Sequence, residues 1–384
     1  MEHKLNKFLK ERQENGLLRT LVTTQGASKG MIEVEGKSYI NFSSNDYLGL
    51  SDHPKMLAAA REVLDNTLGS SSSRLMTGTT ELHARLEDEV ARFKGKPAAI
   101  VYNSGYQANV GVISALCGRD DVIFSDRLNH ASIIDGINLS RGNLFRFKHN
   151  DPEHLKYLLD KERKNHKNAL IVNESVYSMD GDIAPMRDIA RLKREYECMW
   201  MVDEAHATGV FGKNGRGVIE ETGTGDDVDI AMGTFSKALG GFGAYIATTG
   251  EIRSYLINTS RSFIYSTSLP GAIMAADQAA LKIVDKEPER REILLSNSDY
   301  LRDGLKGLGL TVIGNSQIIP VIVGDNHEAL GLSEYLRGKG FWVTPVRPPT
   351  VPQGESRIRI SLSCDHKKED LDRFLNEIKS WINR

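Results

Sequence analysis

The chain has 384 residues, 26% of them charged, and its 49 basic and 51 acidic side chains leave a formal charge of -2. That length exceeds one small core and suggests two or three domains, while the near-even balance offers no basic face to nucleic acid or to a membrane. The three cysteines, Cys117, Cys198 and Cys364, have no metal-ligand spacing, and their odd number argues against a disulfide framework; a reducing cytoplasm fits them.

The opening stretch MEHKLNKFLKERQENGLLR puts Leu5, Phe8 and Leu9 on one face of a charged amphipathic helix. Charges in every turn exclude a secretory signal. GMIEVEGKSYINFSSNDYLGL then alternates apolar and polar residues about Gly36, which predicts a β-hairpin running into a loop. From residue 54 onward, short apolar runs (AAIVY, VIFS, LFRF, ALIVNES, MWMVDE, IAMGTFS, GAYIAT) alternate with helices such as ELHARLEDEVARFKG and MRDIARLKREYE. The second of these helices turns Ile189 and Leu192 inward. This pattern predicts an α/β fold with a mostly parallel central sheet flanked by helices, whose ligands gather at the carboxyl ends of the strands. The most apolar stretch, AAIVYNSGYQANVGVISALC, is interrupted by Asn103, Ser104, Gln107 and Asn109 and cannot span a membrane.

The pattern shifts near residue 286. DKEPERREILLSNSDYLRDGLKGLG reads as one long charged helix, followed by the strand IIPVIVG, the helix HEALGLSEYLRGKG, strands around FWVTPV and RIRISLS, and a closing helix KKEDLDRFLNEIKSWI. The expected domains are an N-terminal helix and hairpin over 1–45, a large cofactor-binding α/β domain over 46–285 and a small α+β domain over 286–384.

The chemistry concentrates between MVDEAH and GTFSKALGG, which contribute Asp203, His206 and Lys237. Singly, a strand-end Asp reads as a helix cap and a Lys as a surface charge. Together, with Ser236, Gly240 and Gly241 around the lysine, they are the groups that hold pyridoxal phosphate: an amine for the aldehyde and a carboxylate for the pyridine nitrogen. NSGY places Gly105 and Tyr106 between a strand and a helix, where unpaired backbone N–H groups and the helix dipole suit a phosphate, although an ordinary glycine turn gives the same residues. His130 of SDRLNHAS follows a strand directly and is placed to stack on a cofactor ring; taken alone it reads as structural. NESVYSMDGDIAP adds Glu174 and Ser178 near that ring, with Asp180 and Asp182 as turn formers. In RPPTVPQGESRIRISLS, Arg357 and Arg359 share one strand face, and one of them aimed inward could clamp a carboxylate; a solvated basic strand is the plainer alternative.

The motifs NFSSNDYLGL, SGYQAN, DRLNHAS, ESVYSMDGD, VDEAHATGVFG, GTFSKALGG, IYSTSLP and RPPTVPQGESRIR run nearly end to end, and through them the chain resembles the α-oxoamine synthases. These are pyridoxal-phosphate enzymes of fold type I that join an amino acid to an acyl thioester with loss of carbon dioxide. The resemblance implies that Lys237 binds the cofactor aldehyde, Asp203 pairs with the ring nitrogen, His130 stacks on the ring, and His206 and Ser178 lie near its phenolic oxygen. It further implies that Gly105, Tyr106, Thr234 and Ser236 hold the phosphate side, while Ser266 and Thr267 reach the phosphate of a partner subunit in a homodimer with shared active sites. Asn45 and Arg359 would address the amino-acid carboxylate. Arg19, FKHND and RPPTVP point to the branch that takes L-alanine and a pimeloyl thioester, carried by coenzyme A or acyl carrier protein, with Arg19 on the distal carboxylate and Thr350 on the substrate side. The other branch considered takes glycine and acetyl-coenzyme A. An aminotransferase of the same fold, and a silent subunit that has lost the lysine, are the more distant readings. The stretch GSSSSRLMTG departs from the glycine-richer form of some members.

Overall fold

A computed structural model describes residues 1–384. The chain divides into two compact units, one formed by Leu50–Tyr177 and Ile183–Arg291, the other by Met1–Gly49, Ser178–Asp182 and Glu292–Arg384.

The first unit is built on a seven-stranded sheet, in spatial order Ala98–Tyr102, Ala244–Thr248, Ile230–Thr234, Met199–Asp203, Ala169–Glu174, Val122–Asp126 and Asn143–Phe147. All seven apolar runs become strands. Ala244–Thr248 alone runs opposite to the other six strands. The middle strands are buried along their whole length, as a sheet covered on both faces requires. Against one face pack the helices Gly105–Leu116 and Ala131–Ser140 through Ala108, Val112, Ile133 and Ile137. Truncating a fully buried strand residue such as Ile171 to alanine costs about 2–5 kcal/mol. Side-chain caps start the helices that follow the strands: Ser104 accepts the Gln107 N–H at 3.2 Å, and His130 accepts that of Ser132 at 3.2 Å. Five loops therefore leave the sheet on one edge, after Tyr102, Asp126, Glu174, Asp203 and Thr234.

The second unit holds two small sheets. The predicted hairpin forms between Met31–Val34 and Lys37–Asn41, with Glu35 and Gly36 both at positive φ, 51° and 71°, as a two-residue turn of this hand needs. Phe341–Trp342 adds in parallel to Lys37–Asn41, whereas Thr344–Val346 joins Ile318–Gly324 and Ser356–Ser361 in a separate sheet, so FWVTPV serves two sheets. The long charged helix is shorter than its charge pattern predicts. It runs Glu289–Gly307, and Asp285 and Lys286 end the preceding helix Gly271–Lys286, because Pro288 has no N–H to continue the ladder. The N-terminal helix Glu2–Glu14 buries none of its residues within the chain; Leu5, Phe8 and Leu9 are half exposed. No helix is long and apolar enough to cross a membrane.

Candidate active site

The first unit gathers its reactive side chains at the carboxyl edge of the parallel strands. Asp203 ends its strand 4% exposed, with Oδ1 accepting the Ala205 N–H at 2.8 Å and Oδ2 accepting the Asn109 side-chain amide at 2.9 Å. Two fixed donors hold this carboxylate in one orientation. Lys237 follows the neighbouring strand, and its Nζ lies 3.0 Å from His206 Nε2. His206 comes three residues after Asp203 in the same loop, so carboxylate, imidazole and amine are positioned by two adjacent strands. Beyond them, Glu174 is buried and accepts the His130 backbone N–H at 2.6 Å. Burial, and then the charge of Asp203, hold the Glu174 carboxyl well above the usual carboxylate range. His130 caps its helix through Nδ1, which accepts the Ser132 N–H, so a neutral ring carries its proton on Nε2. Burial holds its pKa down, yet the residue keeps part of its surface exposed, which leaves it accessible to a ring.

These residues fit pyridoxal phosphate on observations independent of any motif. Thr234 is 5% exposed and its Oγ1 has no hydrogen-bond partner. A Cβ on Gly105 would come within 2.9 Å of Thr234 Cγ2, so only glycine lets the helix start this close to the strand end. The first N–H groups of that helix lack intrahelical partners, and together with the open hydroxyl they make a cradle for an anion. Ser236 is exposed beside it. Tyr106 is also exposed, and its hydroxyl donates to Asp135. Ser266 Oγ accepts the Gln107 amide at 3.4 Å and the Thr267 carbonyl accepts the Asn103 amide at 2.7 Å, which ties both residues to the start of the same helix. The turn after the lysine is tight: the Gly240 N–H bonds the Lys237 carbonyl at 2.9 Å, the Gly241 backbone lies against the buried Asp277, and the Phe242 N–H donates to Asp277 Oδ1 at 3.3 Å.

The remaining predicted residues belong to the second unit. Arg359 donates from Nε to the Ser178 carbonyl at 2.6 Å, and from its terminal nitrogens to Ser361 Oγ at 2.6 Å and Asn45 Oδ1 at 3.4 Å. Every one of these acceptors is neutral. Arg357, by contrast, is 1% exposed and paired with Asp180 and Glu355, so Asp180 is an ion-pair partner as well as a turn former. Of the two arginines on that face, Arg359 is the one without a protein carboxylate. Arg19 is exposed and donates to Thr350 Oγ1 at 2.8 Å. Both line a cavity of about 630 Å³ with Arg347, Leu17, Leu21 and Trp342, and none of its lining residues is acidic. Burial and the charge of Arg19 pull the Arg347 guanidinium below its ordinary pKa. A cation held beside a like charge leaves room for an anion.

A lysine–imidazole pair and an oriented carboxylate at the carboxyl edge of such a sheet define a class, and the chain belongs to the aminotransferase class I and II family, whose model matches residues 37–378. Within it, the chain is similar to the 8-amino-7-oxononanoate synthases of Geobacter sulfurreducens, at 48% identity over 95% of this chain and 94% of the relative, and of Geotalea daltonii, at 46% over 94% and 93%. Among solved structures it is similar to serine palmitoyltransferase of Sphingomonas wittichii (TM-score 0.93, 33% identity, 98% of this chain and 96% of that one). A structure of SPT with PLP matches at a TM-score of 0.94 and 31% identity over 98% and 97%. The 8-amino-7-oxononanoate synthase of Francisella tularensis matches at 0.77 and 30% over 90% and 98%. The resemblance drawn from the motifs, the fold-type expectation and the cofactor expectation are borne out.

Two functional residues escaped the sequence reading. Asn109 registered only as a polar interruption of an apolar run; its signal was a position one helical turn after Gly105, on the face of the strand end. Arg347 lies within RPPTVP but carries no separate signal there, because its neighbour Arg19 is 328 positions away.

Proposed function

We propose that this enzyme, a pyridoxal-phosphate-dependent acyltransferase, condenses L-alanine with a pimeloyl thioester to give 8-amino-7-oxononanoate, carbon dioxide and the free thiol, a step of biotin biosynthesis. The observation that carries the reaction class is the Lys237 amine 3.0 Å from His206, beside an Asp203 carboxylate fixed by Asn109. Bound there, the cofactor supplies an electron sink for negative charge at the amino-acid α-carbon. Lys237 anchors the aldehyde and, once displaced by alanine, is the base that takes the α-proton. His206 holds that proton within hydrogen-bond reach of the amine. Asp203 keeps a proton on the ring nitrogen, His130 covers the ring, and Glu174 fixes the His130 backbone. Gly105, Tyr106, Thr234 and Ser236 hold the phosphate, with Ser266 and Thr267 at the same helix start.

Asn45 and Arg359 take the alanine carboxylate, since Arg359 meets only neutral protein acceptors. The acid-free cavity of Arg19, Arg347 and Thr350, with apolar Leu17 and Leu21, suits an apolar chain ending in a carboxylate. An acetyl group would leave those guanidinium groups without a counter-charge, which favours the pimeloyl reading over the glycine and acetyl branch. A homodimer belongs to this proposal. Isolated helices of about 12–15 residues are marginal in water, and Glu2–Glu14 buries nothing in its own chain, so a second copy would cover its apolar stripe. A cytoplasmic location accords with the free cysteines.

The test is mass analysis of product and release of carbon dioxide with alanine plus pimeloyl-coenzyme A, with alanine plus pimeloyl-acyl carrier protein, and with glycine plus acetyl-coenzyme A. Turnover on either pimeloyl donor, with little on acetyl, is expected. Faster turnover on glycine and acetyl would replace the substrate assignment, and amino-group transfer without carbon dioxide would replace the reaction.

A further inference from the structure

Beneath residues 262–269 of the first unit lies a cavity of about 10 Å³, room for one water-sized species. Two donors on its wall are buried and unsatisfied. Arg74 is 8% exposed; its Nε donates to Thr79 Oγ1 at 3.0 Å and Nη2 to Glu87 Oε1 at 2.8 Å, while Nη1 has no partner. His83 is 1% exposed; its Nδ1 accepts the Thr80 backbone N–H at 3.3 Å, which leaves the ring proton on Nε2, also without a partner. Burial, and then the Arg74 charge, push the His83 pKa down to about 4, so the ring is neutral at physiological pH.

The charge around the cavity does not balance. Glu87, 3% exposed, is shared between Arg74 and Arg253, the latter at 2.9 Å, so two guanidinium groups face one carboxylate. No acidic residue lines the cavity. An anion beside the Arg74 guanidinium gains Coulomb energy that a neutral water does not. A buried guanidinium nitrogen left unbonded has lost its water without a replacement.

We propose that this cavity binds an atom-sized monovalent anion, a halide, between the open guanidinium nitrogen of Arg74 and the ring N–H of His83. The anion fastens two segments that already touch: the Ser268 N–H bonds the Ser72 carbonyl at 2.9 Å, and Ser70 Oγ donates to the Ser268 carbonyl at 2.6 Å. It thereby steadies Ser266 and Thr267, both on the cavity wall.

The probe is bromide, applied to the purified enzyme with its cofactor. In bromide-soaked crystals an anomalous peak is expected within hydrogen-bond reach of Arg74 Nη1 and His83 Nε2. In solution, sodium bromide should raise the melting temperature saturably over sodium gluconate of equal ionic strength. His83→Phe, which keeps the charge but removes one donor, should weaken half-saturation about tenfold, a loss of one good hydrogen bond. Arg74→Met should abolish the bromide effect; should that variant not fold, the crystals and His83→Phe decide. Water density without anomalous signal at the site, or equal melting curves in the two salts, would overturn the proposal.

Discussion

The two units solve opposite problems. In the first, Asp203 and His206 are buried and the reactive groups are held by protein partners: Asp203 has two donors, and the Lys237 amine sits against His206. In the second, two guanidinium groups meet no carboxylate. Arg19 is exposed with only a threonine hydroxyl as partner, and Arg359 has no protein carboxylate. Groups that change protonation during a reaction gain from fixed neighbours, since reorganisation during the chemical step is costly. Groups that recognise a carboxylate gain from being unpaired, since an internal ion pair would have to break first. The adjacent Arg357, sealed to Asp180, shows what an arginine committed to structure looks like.

This contrast orders the expected effects of substitution. Lys237→Ala removes both the anchor and the base, so turnover should fall by more than roughly 10³-fold and the visible absorbance of the lysine-linked cofactor should vanish. A coloured, active variant would end the assignment. Asn109→Ala leaves Asp203 with one donor fewer. A hydrogen bond to a charged group is worth about 1.5–3 kcal/mol, so kcat should drop roughly 10- to 100-fold, with the KM for the thioester unchanged. Wild-type kcat would show that Asp203 does not depend on this orientation. Arg19→Ala should be mildest, because an exposed cation is worth about 1 kcal/mol. The KM for the pimeloyl thioester should rise about fivefold while that for alanine stays put. Equal rises in both would blur the division between fixed chemistry and open recognition.

Much of the first unit was legible from the chain alone, because strands buried on both faces are written as unbroken apolar runs and the reactive residues stand directly after them. Asp203, Lys237, His130 and Gly105 all follow that grammar. The spatial order of the strands was not legible, nor was the single antiparallel member Ala244–Thr248, since its sequence is as apolar as its neighbours'. The missing pieces depend on partners remote in sequence. Arg19 meets Thr350 and Arg347 only after the chain has folded, and Glu87 collects Arg74 and Arg253 from both sides of itself. No period or motif encodes such meetings. The stretch around Pro288 read as one helix because the charge pattern runs on across the proline that separates the two helices.

Beneath the lysine, Asp277 acts as a post. It is wholly buried, Oδ2 has no partner, and burial holds its carboxyl well above the ordinary range. With the peptide units around Lys237 clamped from below, the freedom of the amine is confined to its four methylenes. Rotamer hops of that kind take picoseconds to nanoseconds in open surroundings, far quicker than loop rearrangement, so the hand-over of the aldehyde proposed for Lys237 needs no backbone to yield.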